Sequence, residues 1–307
     1  MTSLPQPSAP PRPSARSLAA ALAEIDHWPV GVAATAVVDA SGVVATRGPI
    51  DHEFPLASVT KPLVALAILL AVEEGAVGLF DPVDPALLHG AAPSPGRQLR
   101  LGDPPLPEVT LRHLLAHASG LAPDAPTRLF PPAHRRVYSN VGFELAAQMV
   151  AAATGIPFST YFTEALAPLR LCNTSLPGSP AHGGVSAVAD LARVVRELLA
   201  PRGLLHPSTL AEATTVQYPG LRGVLPGFGH QDPNDWGLGF EIRARKSPHW
   251  TGARNSPATF GHFGQAGTMF WVDPAAGLGL VALTDTSFGP WAASAWPALS
   301  DAVLTAR

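Results

Sequence analysis

The chain has 307 residues, 47% of them apolar, enough to build a substantial core in one large domain or two small ones. Charged residues make up only 14%, the net charge is −3 and there is no Lys/Arg-rich run, so nothing in the charge pattern argues for nucleic acid or an anionic membrane as a partner. The single cysteine, Cys172, excludes an intrachain disulfide and argues against a cysteine-based metal site; beside Leu169 and Leu171 it reads as a core residue.

In chain order, residues 1–16 contain five prolines and no apolar stretch, which reads as a disordered tail and neither a signal peptide nor a membrane span. With no longer apolar helix elsewhere, a cytoplasmic location follows. A helix is predicted over 17–25, then a strand over 31–39 and its hairpin partner over 42–47. The pattern then turns helical over 60–75, 110–117, 141–154, 158–166, 186–200 and 207–216, with a Pro/Gly-rich surface loop at 91–107. Strand signals return at 236–243, 267–273 and 277–284, and a helix over 291–305 closes the chain. Strands at both ends with helices between them predict an α+β fold in one domain over 17–307. In it an antiparallel sheet built from 17–57 and 236–307 is interrupted by a helical part, 58–235, and a cleft lies where the two meet.

Only two lysines occur, and Lys61 stands three positions after a serine in Ala57-Ser58-Val59-Thr60-Lys61. If a helix begins near Ala57, Ser58 and Lys61 lie on one face, and Ser58 sits in the first turn, where free N–H groups can stabilise an oxyanion. A serine needs a base, and a lysine serves only if burial or a second cation lowers its pKa. With Arg supplying the other positive charges, a retained lysine points to a role that a guanidinium cannot fill.

Two more segments carry candidate chemistry. Tyr138-Ser139-Asn140 places a phenol and an amide two residues apart before a helix; alone it reads as a helix start with Asn140 as the cap. His262-Phe263-Gly264-Gln265 leads into a strand, and its glycines would let a strand edge approach a substrate closely; alone it reads as a hairpin turn.

In this order, Ser58-Val-Thr-Lys61, Tyr138-Ser-Asn140 and His262-Phe-Gly264 resemble the three motifs of the serine β-lactamase and penicillin-binding-protein superfamily. The Tyr-x-Asn form is similar to the branch that holds class C β-lactamases, D-alanyl-D-alanine carboxypeptidases and family VIII carboxylesterases. Segments such as 109–121 and 236–240 resemble that branch too. The resemblance implies that Ser58 is acylated, Lys61 is the base or proton relay and Tyr138 moves the proton of the leaving group. It further implies that Asn140 holds Lys61 and the substrate, that His262 and Gly264 lie along the substrate, and that the N–H groups of Ser58 and Gln265 form the oxyanion hole. No metal or organic cofactor is implied. His113 and His117 are spaced like a zinc pair, but Leu114 stands where the metalloprotease motif needs Glu, and Ser119 lacks a nucleophile elbow. His262 stands where β-lactamases carry a lysine, which weakens the case for carboxylate-bearing substrates unless Arg245 or Arg254 replaces the charge. The expected activity is hydrolysis of small esters or amides through acyl-Ser58, carboxylesterase-like in first place. A D-amino-acid peptidase, a weak β-lactamase or an acyltransferase could use the same site, and a non-catalytic ligand-binding or scaffold homologue is the reading of another class.

Overall fold

A computed structural model describes residues 15–84, 87 and 108–306 of the chain. Helix α1 (Ala15–Leu22) runs into a 3-10 segment and leads to strands β1 (Ala33–Asp39), β2 (Gly42–Arg47) and β3 (Glu53–Pro55). A 3-10 turn at Ala57–Val59 opens α2 (Thr60–Glu73). The helical part continues with α3 (Leu111–Leu115), α4 (Asn140–Thr154) and α5 (Phe158–Leu166), followed by β4 (Val185–Ala187), α6 (Val188–Leu199) and α7 (Pro207–Ala213). The C-terminal part holds β5 (Gly223–Leu225), β6 (Gly229–Gln231), β7 (Glu241–Ile242), β8 (Phe260–Gly264), β9 (Thr268–Asp273), β10 (Leu278–Thr284) and α8 (Pro290–Thr305).

Six strands form one antiparallel sheet in the order β2-β1-β10-β9-β8-β7, so strands from the two ends of the chain do meet in its centre. Their register runs from Ala33 opposite Thr284 to Asp39 opposite Leu278. Both faces of β9 and β10 are buried, which explains why 268–273 and 278–284 read as unbroken apolar runs instead of alternating ones. Successive side chains of β1 serve different cores: Ala36 and Val38 join the cluster that contains α2, α4 and α6, whereas Val37 joins the cluster of α1 and α8. The fold is therefore a mixed helix and antiparallel-sheet structure with helices on both faces. Helix α2 is apolar all round because it lies in the middle of the helical side, with Leu63, Val64, Leu66, Ile68 and Leu69 all buried.

Several expectations need correction. Residues 1–14 of the expected tail and the loop 91–107 lie outside the described residues, while Ala15 and Arg16 already belong to α1. The strand expected over 236–243 is reduced to Glu241–Ile242, because the chain folds back on itself at Gly239 and pairs Trp236 with Glu241. The Gly-rich segment before β9 is itself the strand β8, its alternation hidden by two glycines. Cys172 is exposed, its Sγ against the Arg170 carbonyl oxygen at 3.5 Å, so it does not pack in the core. Asn140 is the first residue of α4 and Ser139 is the cap, its Oγ accepting from the Gly142 N–H at 3.1 Å.

Gly239 has φ +86°, and a Cβ there would stand 2.2 Å from the Cβ of Ala65 on α2. Gly239→Ala combines a left-handed backbone with overpacking against α2, and is expected to lose about 2 to 4 kcal/mol of stability in denaturant unfolding.

Candidate active site

Ser58 sits in the 3-10 turn that opens α2, at the junction of the helical part with the sheet. The preceding Ala57 has φ +45°, a left-handed conformation that a non-glycine residue holds only at a cost of about 1 to 2 kcal/mol. Pro62 is tolerated because it falls in the first turn of α2, where its missing N–H has no intrahelical partner to lose. Three residues on from Ser58, the Lys61 Nζ lies 3.3 Å from the Ser58 Oγ. The same Nζ donates to Asn140 Oδ1 at 2.7 Å and to the Ala181 carbonyl oxygen at 2.9 Å. Among the described residues no carboxylate hydrogen-bonds to it. Complete burial pushes its pKa down to about 7, against the opposing pull of the Asp124 and Glu144 charges.

Tyr138 and Asn140 arrive from the start of α4. Because Ser139 does the capping, the Asn140 amide is free to bridge: Oδ1 accepts from Lys61, and Nδ2 donates to Asp124 Oδ1 at 2.7 Å. The Tyr138 ring centroid lies 4.5 Å from Lys61 Nζ. Burial pushes the Tyr138 phenol well above its usual pKa, although a hydrogen bond with Ser58 works the other way. The phenol is therefore protonated throughout the neutral range.

The third segment is strand β8. A Cβ on Gly264 would lie 2.4 Å from the Leu56 carbonyl oxygen and 3.0 Å from the Ser58 nitrogen, so only glycine lets β8 pass so close to the serine turn. Thr268 pins the same approach by donating its hydroxyl to Leu56 O at 2.7 Å. Gln265 follows at the exposed turn, its carbonyl oxygen accepting from the Phe288 N–H at 2.9 Å. His262 is 2% exposed, with its ring centroid 6.0 Å from Tyr138 and 5.5 Å from Trp236. Its Nδ1 donates to the Phe263 carbonyl oxygen at 2.7 Å. Burial, helped by the Lys61 charge, drives its pKa down to about 3. The position that carries lysine in β-lactamases is therefore neutral here.

Neither candidate arginine restores that charge. Arg245 lines a cavity of about 650 Å³ with Ile242, Pro257 and Phe260, at the end of β8 away from Gly264, and Arg254 is exposed beside α8, where its backbone N–H donates to Asp301. The two histidines of 109–121 have separate tasks. His113 closes a capping box with Thr110, and His117 Nδ1 accepts from the Ser139 N–H at 3.1 Å. No cluster of three or more metal-ligating side chains exists among the described residues. Ser119 is fully buried, its Oγ accepting from the Leu121 N–H at 3.3 Å.

Some parts of the site escaped the sequence reading. Asp124 and the Ala181 carbonyl come from segments with no motif, Glu144 lies one turn into α4 past Asn140, and the loop bearing Ala181 is tied to α4 where the Ser179 hydroxyl donates to Glu144 Oε1 at 2.7 Å. Behind Trp236 lies a second buried lysine, Lys246, ion-paired with Glu241, whose other oxygen accepts from His249 Nε2 at 2.9 Å and Trp250 Nε1 at 3.0 Å. Burial works against the Glu241 charge, but His249 and Lys246 outweigh it and hold its pKa at about 2. The rarity of lysine was a usable signal for this residue as well.

The six-stranded antiparallel sheet, its flanking helices and a Ser-x-x-Lys turn packed against β8 define the β-lactamase/transpeptidase-like fold. The Beta-lactamase family model matches residues 18–304, and the chain belongs to that family. A solved beta-lactamase (Mb2281c) from Mycobacterium bovis is similar at TM-score 0.84 and 51% identity, over 93% of this chain and 98% of that one. Esterase EstB of Burkholderia gladioli is 48% identical over 71 residues, 23% of this chain. Penicillin-binding protein 4* of Bacillus subtilis (strain 168) is 31% identical over 135 residues, 35% of this chain. The matches span only 16% and 27% of the lengths of these two relatives.

Removing the Glu241 charge strands a buried ammonium behind Trp236. Glu241→Gln is expected to lose about 3 to 5 kcal/mol in denaturant unfolding, whereas adding Lys246→Met to it removes the stranded ammonium, keeps an amide oxygen for His249 or Trp250 and recovers part of that loss.

Proposed function

We propose that the chain is a serine hydrolase that cleaves small esters, and more slowly small amides, through an acyl-Ser58 intermediate. The observation that carries this reading is the buried Lys61, within hydrogen-bond reach of Ser58 and poised near neutrality by desolvation. In the acylation step Lys61 takes the Ser58 hydroxyl proton as the Oγ attacks the acyl carbon. The N–H groups of Ser58 and Gln265 receive the developing oxyanion. Tyr138, protonated at rest, gives its proton to the departing alcohol or amine and is reprotonated from Lys61. Water then attacks the ester carbonyl, its proton passing to the same base, and the Ser58 oxygen leaves as the alcohol. Asn140 fixes the Lys61 amine through Oδ1. The neutral His262 supports esters over penicillins and C-terminal peptides, whose carboxylate would meet no fixed charge at that position.

Wild type is expected to turn over p-nitrophenyl butyrate, and Ser58→Ala and Lys61→Ala each to lose about a thousandfold or more in kcat while circular dichroism stays unchanged. Tyr138→Phe should lose less, since water can carry the proton. Full activity in either of the first two variants overturns the assignment. Because the base must be neutral, kcat/KM should rise with pH through about 7 and then level off. A flat profile from pH 5 to 9 would remove Lys61 from the role.

A further inference from the structure

The Asn140 amide is committed at both ends: Oδ1 to Lys61 at 2.7 Å and Nδ2 to Asp124 Oδ1 at 2.7 Å. Asp124 is held in place by its own backbone neighbours, since the Asn140 N–H donates to Pro123 O at 2.8 Å and the Ser139 hydroxyl to Ala122 O at 2.8 Å. Among the described residues no lysine, arginine or histidine forms an ion pair with Asp124, and its side chain is exposed beside Asn140. His117 and His262 are both buried and neutral. The nearby Arg136 guanidinium is turned away into the carbonyl oxygens of Ala116, Gln217, Tyr218 and Asn234. Among the described residues, Asp124 is therefore an exposed carboxylate one amide away from Lys61, with no ion-paired cation to neutralise it.

On the acyl-serine reading above, we propose that Asp124 is a specificity-determining residue and that the preferred substrates are short aminoacyl esters or amides whose ammonium pairs with it. A path of three hydrogen bonds and one amide group links the carboxylate to the Ser58 Oγ, so at most about 11 Å separates them. That path is bent and the direct separation shorter, and the Asp124 charge acts on both Lys61 and Tyr138. An amine one or two carbons from the acyl carbonyl reaches about 6 to 8 Å from the Ser58 Oγ when one charge-assisted hydrogen bond is included, and the proposed pairing requires the Asp124 carboxylate within that reach. Anionic acyl groups are disfavoured by the same charge.

The test compares p-nitrobenzyl esters that differ only by ammonium for methyl, alanine (both enantiomers) against 2-methylpropanoate and 3-aminopropanoate against butanoate, at pH 7. Wild type should favour the ammonium ester in kcat/KM by about tenfold or more in at least one pair, and the preference should shrink as salt rises. In Asp124→Asn, which keeps the shape and an acceptor for Asn140, the ratio should collapse toward one. A wild-type ratio of one or below overturns the inference without any variant having to fold. So does an unchanged ratio in Asp124→Asn, or an equal loss on both esters of a pair, which would make Asp124 merely the orienter of Asn140. A fluorophosphonate probe on Ser58 separates the two failures. Labelling and butanoate turnover without preference sink this inference alone, whereas no labelling and no turnover sink the acyl-serine reading and this inference with it.

Discussion

Everything near Ser58 depends on keeping one lysine amine out of water without a carboxylate against it. An ammonium with an adjacent carboxylate would stay protonated, and one without any polar partner would not survive burial. Lys61 takes the middle course, with two oxygen acceptors, Asn140 Oδ1 and Ala181 O, and carboxylates kept one residue further away. The price appears in folding. Its pKa is about 7 folded against 10.5 unfolded, so the unfolded chain binds more protons between those values and stability from this group rises with pH across that window. Below pH 7 the burden is roughly 4 to 5 kcal/mol. The apolar mass around α2 must carry it, which accounts for a helix buried on every side.

The second lysine shows the opposite solution. Lys246 is as deeply buried, yet Glu241 lies directly against it and the Asp235 and Ile242 carbonyl oxygens take its remaining protons at 2.6 Å. One lysine is thus held close to losing its proton and the other is fully engaged by an anion. Trp236 stands between them, within 5.8 Å of Lys246 Nζ on one side and packed edge-on or tilted against His117, Tyr138 and His262 on the other. That aromatic wall keeps water from both amines.

Much of this was legible in the sequence, for particular reasons. β1, β9, β10 and α4 are long, strongly patterned segments whose local preference and tertiary role agree. Ser58, Lys61, Tyr138 and Asn140 are candidate residues at short fixed spacings, and the structure brings all four together. What escaped depends on contacts between distant segments. Asp124 lies 16 residues from the amide it holds, and the Ala181 carbonyl 120 residues from Lys61; a backbone oxygen has no sequence signature at all. β7 was overextended because Gly239 turns the chain back to fit against Ala65, a constraint set by α2. Cys172 was misplaced because flanking leucines speak to composition and not to where a loop surfaces.

The burial of both lysines also determines how the folded protein meets the world. Lys61 and Lys246 are the only lysines in the chain, and the two residues are 0% and 4% exposed. The native surface therefore offers arginine guanidinium groups but no lysine ammonium. Amine-directed reagents such as succinimidyl esters can reach each lysine only when its surroundings open. Modification at Lys61 or Lys246 becomes a built-in clock for local opening, one for the turn around Ser58 and one for the ion pair with Glu241.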